Sequence, residues 1–262
     1  MDSAFAKLDR ARTHFAELVD ETEKFRARET HHFSEEMAPW GLDPGIGVIT
    51  RRVHIKEVPP QSWSVLLGDI LTNLRAALDH AIYGHAAARQ ALTEEQEKRI
   101  YYPIVLDRAR WSKVHKELRP LLDPAVMSCV EATQPFNHQD HPRKAPLATF
   151  NTLVNEDKHR SIRVVSYRHG PAHLDTDLEV VGTDAEPREW QDGGVVVRAY
   201  VRLPSAMQSL PGDASIRFRW VIGEGPTIWL PGLDVHWPVV DTMSQSIDMV
   251  KDILTDLKLS GC

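Results

Sequence analysis

Residues 62–89, SWSVLLGDILTNLRAALDHAIYGHAAAR, decide how this chain reads. Leu67, Ile70, Leu71, Leu74, Leu78, Ala81 and Ile82 recur every three or four positions, and that stripe predicts one long helix. At about 100° per residue, Arg75, Asp79, Thr72, Tyr83, Ala76, Asp69, His80 and Asn73 fill a contiguous sector of roughly 160° on the other side. The core of that stretch, GDILTNLRAALDH, contains no Lys and no Glu. Asp, Thr, Asn and His are weaker helix formers than the Lys, Glu and Gln that usually face solvent. A band of donors, acceptors and a titratable imidazole therefore suits a partly buried polar site. It suits equally a structural hydrogen-bond network, with Arg75 and Asp79 as an i,i+4 ion pair.

Working outward, the N-terminal segment carries Asp2 or Ser3 as a cap and Phe5, Leu8, Phe15 and Leu18 near one face, which predicts a helix into the twenties. APWGLDPGIG reads as a loop and VITRRVHIKEV as a strand stopped by Pro59-Pro60. Shorter helices are expected over 107–118 and 122–132, PFNHQDHPRKAP is a loop, and Pro146 opens a helix that buries Leu147, Phe150, Leu153 and Val154. From residue 161 to 237 the chain is β-rich, in SIRVVSY, DLEVVG, GVVVRAYVRL and SIRFRWVIGEGPTIWL, with GEG as a hairpin tip. Strands that follow one another without helices imply an antiparallel meander. Met243, Ile247, Val250, Leu254 and Leu257 mark a closing helix near 241–258. The expected fold is α+β: a mainly helical part over 1–160, then an antiparallel sheet and C-terminal helix over 161–262, integrated as one domain.

With 42% hydrophobic and 26% charged residues, the composition is that of an ordinary soluble protein. No apolar run is long enough for a bilayer, and the N-terminus lacks the pattern of a secretory signal. Two cysteines, Cys129 and Cys262, support neither a disulfide framework nor a thiolate zinc site, so a cytoplasmic setting is expected. The net charge of −6 is uneven. Residues 101–170 hold 11 basic and 7 acidic groups, between segments that are both acidic. A local cationic face is compatible with an anionic partner, although no global nucleic-acid signature exists.

A second polar cluster closes the 146–158 helix: Asn151, Asn155, Asp157, Lys158, His159 and Arg160. Asn151, Asn155 and His159 advance by four and share a face, while the three cations suit a helix C-terminus. His138, Asp140 and His141, and His31 with His32, resemble ligand runs but read as solvated surface. Nucleophile elbows, phosphate loops and dinucleotide fingerprints are absent from the sequence.

Arg75-Ala-Ala-Leu-Asp-His80 has the spacing Arg, four residues, His. Four such pairs occur, at Arg26/His31, Arg75/His80, Arg110/His115 and Arg168/His173, and only Arg75/His80 falls in a long amphipathic helix. In that context it resembles the motif of the HEPN superfamily, helical proteins that include metal-independent ribonucleases and non-catalytic members. Ala76 departs from the polar residue that often follows the arginine in that family, and the β-rich region has no counterpart in a minimal HEPN domain. NLRAALDH with a later DKHR also resembles uncharacterised bacterial proteins. The HEPN resemblance implies that Arg75 neutralises charge on a scissile phosphate and His80 transfers a proton, in a homodimer. On that expectation Arg75, His80, Asn73 and Asp79 carry catalysis, and Asp69, Tyr83, Asn155, His159 and Arg160 bind RNA or another anionic ligand, without metal or other cofactor.

Two readings compete with a HEPN-like RNA-binding or RNA-cleaving protein. One is a metal-dependent hydrolase with Asp79, His80, Asp157 and His159 as ligands between two helices. The other is a non-enzymatic interaction protein whose sheet presents Arg198, Arg202, Arg217 and Arg219 to an anionic partner.

Overall fold

The computed structural model describes residues 1–41, 43–138, 141–184, 189–205, 218–230 and 233–262. The chain opens with helix α1 (Asp2–Ala27) and the strands β1 (His31–Trp40) and β2 (Asp43–Ile55). Helices α2 (Ser62–Arg89), α3 (Glu94–Arg99), α4 (Arg108–Leu118), α5 (Pro124–Ala132) and α6 (Pro146–His159) follow, with 3-10 turns at Pro135–Asn137 and Pro142–Lys144. Strands β3 (Val164–Thr176), β4 (Val180–Asp184), β5 (Val195–Arg202), β6 (Phe218–Leu230) and β7 (Val235–Pro238) precede the last helix, α7 (Val239–Leu259). The fold is α+β, with a four-stranded sheet in the order β1-β2-β5-β4 and a three-stranded one in the order β3-β6-β7. No described helix is long and apolar enough to cross a membrane.

The stripe of α2 is buried as its spacing requires: Leu67, Ile70, Leu71, Leu74, Leu78 and Ile82 are all inaccessible. Their neighbours include α7, which buries Met243, Val250, Leu254 and Leu257, and α6, which buries Leu147, Phe150, Leu153 and Val154. Local signals set the helix starts. Asp107 accepts a hydrogen bond from the Arg110 amide at 2.7 Å and caps α4, and Pro146 occupies the first turn of α6.

The contacts divide the chain into two compact units. The helical unit comprises residues 1–21, 60–164 and 228–262; the sheet unit comprises 22–59 and 165–227. Each unit is drawn from separated stretches of the chain. Within the sheet unit, Ile49, Val53, Val197, Ala199 and Val201 pack with Leu174, Trp190 and Trp220.

Three expectations for the strands are corrected. Residues 38–47 are not a loop: β1 and β2 form an antiparallel hairpin that turns at Gly41, whose φ of +53° suits glycine. HHFSEEMAPW carries no apolar alternation because β1 is an edge strand whose residues from Ser34 to Trp40 are exposed on both faces. Its acidic side chains instead meet β2, in Arg51–Glu35 at 3.0 Å and Arg52–Glu36 at 3.2 Å. GEG is not a hairpin tip, because β6 runs through it without a break; glycine is admissible in a strand whose ladder supplies the order. Finally, the β-rich region is not a simple meander, since β2 inserts beside β5 and its order is set by this long-range pairing. Helix α3, a single capped turn and a half, buries no residue and so carries no apolar stripe that its sequence could display.

Candidate functional site

The polar band of α2 lies in the helical unit, and its members have distinct partners. Arg75 donates from Nε to Asp79 Oδ2 at 3.1 Å and from Nη2 to the carbonyl oxygen of Tyr102 at 2.7 Å. The Tyr102 amide in turn donates to Asp79 Oδ1 at 2.9 Å. Arg75 and Asp79 are thus an ion pair that brackets both polar groups of one peptide residue, with side chains only 15% and 30% exposed. The Tyr102 ring is buried, its hydroxyl bonds to Thr133, and burial pushes its pKa upward. Tyr101 flanks the Arg75 guanidinium, 5.9 Å from ring centroid to Cζ.

His80 faces a different segment. Its Nδ1 is hydrogen-bonded to Ser3 Oγ at 2.7 Å, and Nε2 has no partner among the described residues. Tyr83 donates to Glu97 Oε1 at 3.3 Å. Asn73 donates from Nδ2 back to the Asp69 carbonyl at 2.8 Å, one turn earlier. One turn further, buried His85 accepts from the Asp123 amide at Nε2, 3.2 Å away, and is hydrogen-bonded to the Gly261 backbone. Burial and then the Arg89 charge lower its pKa, so its approach to the Asp123 carboxylate at 3.4 Å is that of a neutral imidazole.

Gly68 determines how α2 meets α6. A Cβ there would lie 2.7 Å from Asp157 Oδ1 and 2.8 Å from Oδ2, so the carboxyl occupies the space that glycine leaves. Burial and then the neighbouring charge of Asp69 push the Asp157 pKa upward. Glu156 is raised by burial as well, against the opposing charge of Arg160.

The structure therefore brings together Arg75 with Asp79, Asp69 with Asn73 and Asp157, and His80 with Ser3. It does not add Asn155, His159 or Arg160 to that band: all three are exposed at the end of α6. Among the described residues no three His, Cys, Asp or Glu side chains are grouped so as to hold a metal ion, so Asp79, His80, Asp157 and His159 do not assemble. Both oxygens of Asp79 are already engaged. On the sheet, Arg198 is paired with Asp184 at 3.2 Å and Arg202 with Glu179 at 2.8 Å, while Arg219 is exposed. Arg217 and Asp140 lie outside the described residues.

Sequence reasoning missed Ser3, Gly68 and Tyr102 as partners of the band. A glycine inside a helix, about 1 kcal/mol worse than alanine, was the one available signal for a close approach. It also missed a cavity of about 420 Å³ in the helical unit, lined in part by Arg110, Arg143 and Asn151. Only the positive balance of residues 101–170 pointed toward it. Compared with known families, curated proteins and solved structures, the chain matches none.

Proposed function

We propose that this protein is a HEPN-like RNA-binding protein whose helical unit supplies the contact surface. One observation carries this reading. Among the described residues Arg108, Arg110, Lys113, Arg143, Lys144 and Lys158, all within the positive stretch 101–170, form no salt bridge, whereas Arg75, Arg89, Lys98 and Arg99 of the helical unit and Arg51, Arg52, Arg198 and Arg202 of the sheet are each paired with a carboxylate. Unpaired cations retain their charge for a partner, and phosphates that displace counterions from such a surface give affinity that falls with salt. The Arg75–Asp79 pair, engaged with Tyr102, acts in this reading by holding the edge of α2 against the cationic segment. Fluorescence anisotropy with single-stranded RNA tests it. Binding should weaken steeply between low and physiological salt, and Arg108→Glu with Lys113→Glu should reduce it at least about tenfold. Absence of binding at low salt, or affinity unchanged by both charge reversals, defeats the proposal.

The second reading, metal-independent RNA cleavage, is favoured by the state of His80. With Nδ1 held by Ser3, its Nε2 is left for a 2′-hydroxyl or leaving oxygen. Catalysis would then involve Arg75, His80, Asn73 and Asp79, in the homodimer that the HEPN resemblance implies. RNA cleavage in EDTA that is lost in His80→Ala supports this reading, and sedimentation reports the dimer.

A further inference from the structure

We propose that the cavity between the start of α4, the 142–144 turn and α6 is a binding site for a phosphate monoester, supplied by an RNA end or by a free nucleotide. The proposal deepens the RNA-binding reading, and rests on it only for the choice between these sources. The cavity measures about 420 Å³ and is lined by Ile104, Leu106, Asp107, Arg110, Arg143 and Asn151, among others. Among the described residues neither guanidinium has an ion pair and the Asn151 amide has no hydrogen bond. Asp107, the one carboxylate present, has Oδ1 committed to the Arg110 amide as the cap of α4. Arg110 and Arg143 are both exposed, and two cations against the one Asp107 carboxylate leave the lining net positive.

The number of donors selects the ligand. A carboxylate offers two oxygens, which one guanidinium fork satisfies bidentately. Two forks and an amide match instead the three terminal oxygens of a phosphate monoester, which carries about −1.5 to −2 charges at neutral pH. An internal phosphodiester has only two such oxygens and one charge. The volume falls within the range of ordinary small-molecule pockets, and the apolar walls of Ile104 and Leu106 suit the sugar and base that follow the phosphate.

The test compares one RNA oligonucleotide bearing a 5′-phosphate or a 5′-hydroxyl, with AMP and adenosine as competitors, on wild type and on Arg110→Gln/Arg143→Gln. The expected result is a preference of at least about tenfold for the phosphorylated end, competition by AMP but not adenosine, and loss of both in the variant. If the variant does not fold, phenylglyoxal labelling of the wild type replaces it: AMP should protect Arg110 and Arg143 from modification as read by mass spectrometry. Binding of AMP without any RNA binding supports the site with a nucleotide as ligand and defeats the RNA-binding reading. Binding of RNA without regard to its 5′ end, together with no binding or protection by AMP, overturns the site and leaves RNA binding standing. If neither ligand binds, both proposals fail.

Discussion

Arg75 and Asp79 hold the two ends of one backbone residue: the Tyr102 carbonyl receives Arg75 Nη2 at 2.7 Å and the Tyr102 amide reaches Asp79 Oδ1 at 2.9 Å. The i,i+4 spacing on α2 sets the two side chains side by side, and the bracket ties α2 to the segment leading into α4. A band that looks like a site in one dimension thus contains, in its middle, a structural clamp.

Removal of Arg75 should therefore destabilise the protein whatever it does to ligand binding. Arg75→Gln takes the guanidinium donor from the Tyr102 carbonyl and from Asp79 Oδ2, at a cost of about 1–3 kcal/mol. Urea titration of Arg75→Gln, Asp79→Asn and the double variant should show that the two losses are strongly non-additive. Fully additive losses would mean that the bracket does not act as a unit.

Gly68→Ala replaces a poor helix former with the best one, a local gain of about 1 kcal/mol. The added Cβ would collide with both carboxylate oxygens of Asp157, so the net effect should be a loss of about 1–3 kcal/mol. Asp157→Ala in the same chain removes the obstacle and should recover most of it. If Gly68→Ala alone raises the denaturation midpoint, α2 and α6 do not meet as described.

Asp157 has its pKa raised by burial and by Asp69, so its charged form is disfavoured in the folded state. Its contribution to stability is fully present below its unfolded value, near 3.9, and disappears as pH rises through the elevated folded value. Asp157→Asn should accordingly melt higher than wild type at pH 7, with the difference shrinking below pH 4. Equal melting temperatures across that range would refute the raised pKa of Asp157.

His85 has the opposite sign of linkage. Its pKa is lowered, so the neutral ring belongs to the folded state and stability is fully present above the unfolded value near 6.5. As pH falls through the folded value, the unfolded chain takes up the proton first and stability declines. Between pH 7.5 and pH 5, His85→Gln should lose less stability than wild type, measured by urea midpoints.

His80 separates binding from catalysis. His80→Ala should preserve most of the salt-dependent RNA affinity, because the unpaired cations lie elsewhere, yet abolish any cleavage seen in EDTA. Cleavage that survives the substitution would remove His80 from the chemistry.

Much of the helical architecture was readable in one dimension, and the reason is local. Helix hydrogen bonds close within four residues, so the Leu67–Ile82 stripe, the cap at Asp107 and Pro146 at the head of α6 specify their elements by themselves. The Arg75–Asp79 pair was legible for the same reason. What these two side chains hold was not, because Tyr102 lies more than twenty residues further along the chain. The edge strand β1 was invisible because its order comes from pairing with β2 and not from its own apolar pattern. Arg110 lines one cavity with Arg143 and Asn151, which lie more than thirty residues further along the chain. The sequence by itself determined which helices form, which faces they bury and where polar groups gather along α2. Tertiary structure alone decided the strand order, the close approach at Gly68, the engagement of Arg75 and Asp79 with Tyr102, and which cations stay unpaired, since each depends on contact between residues far apart in the chain.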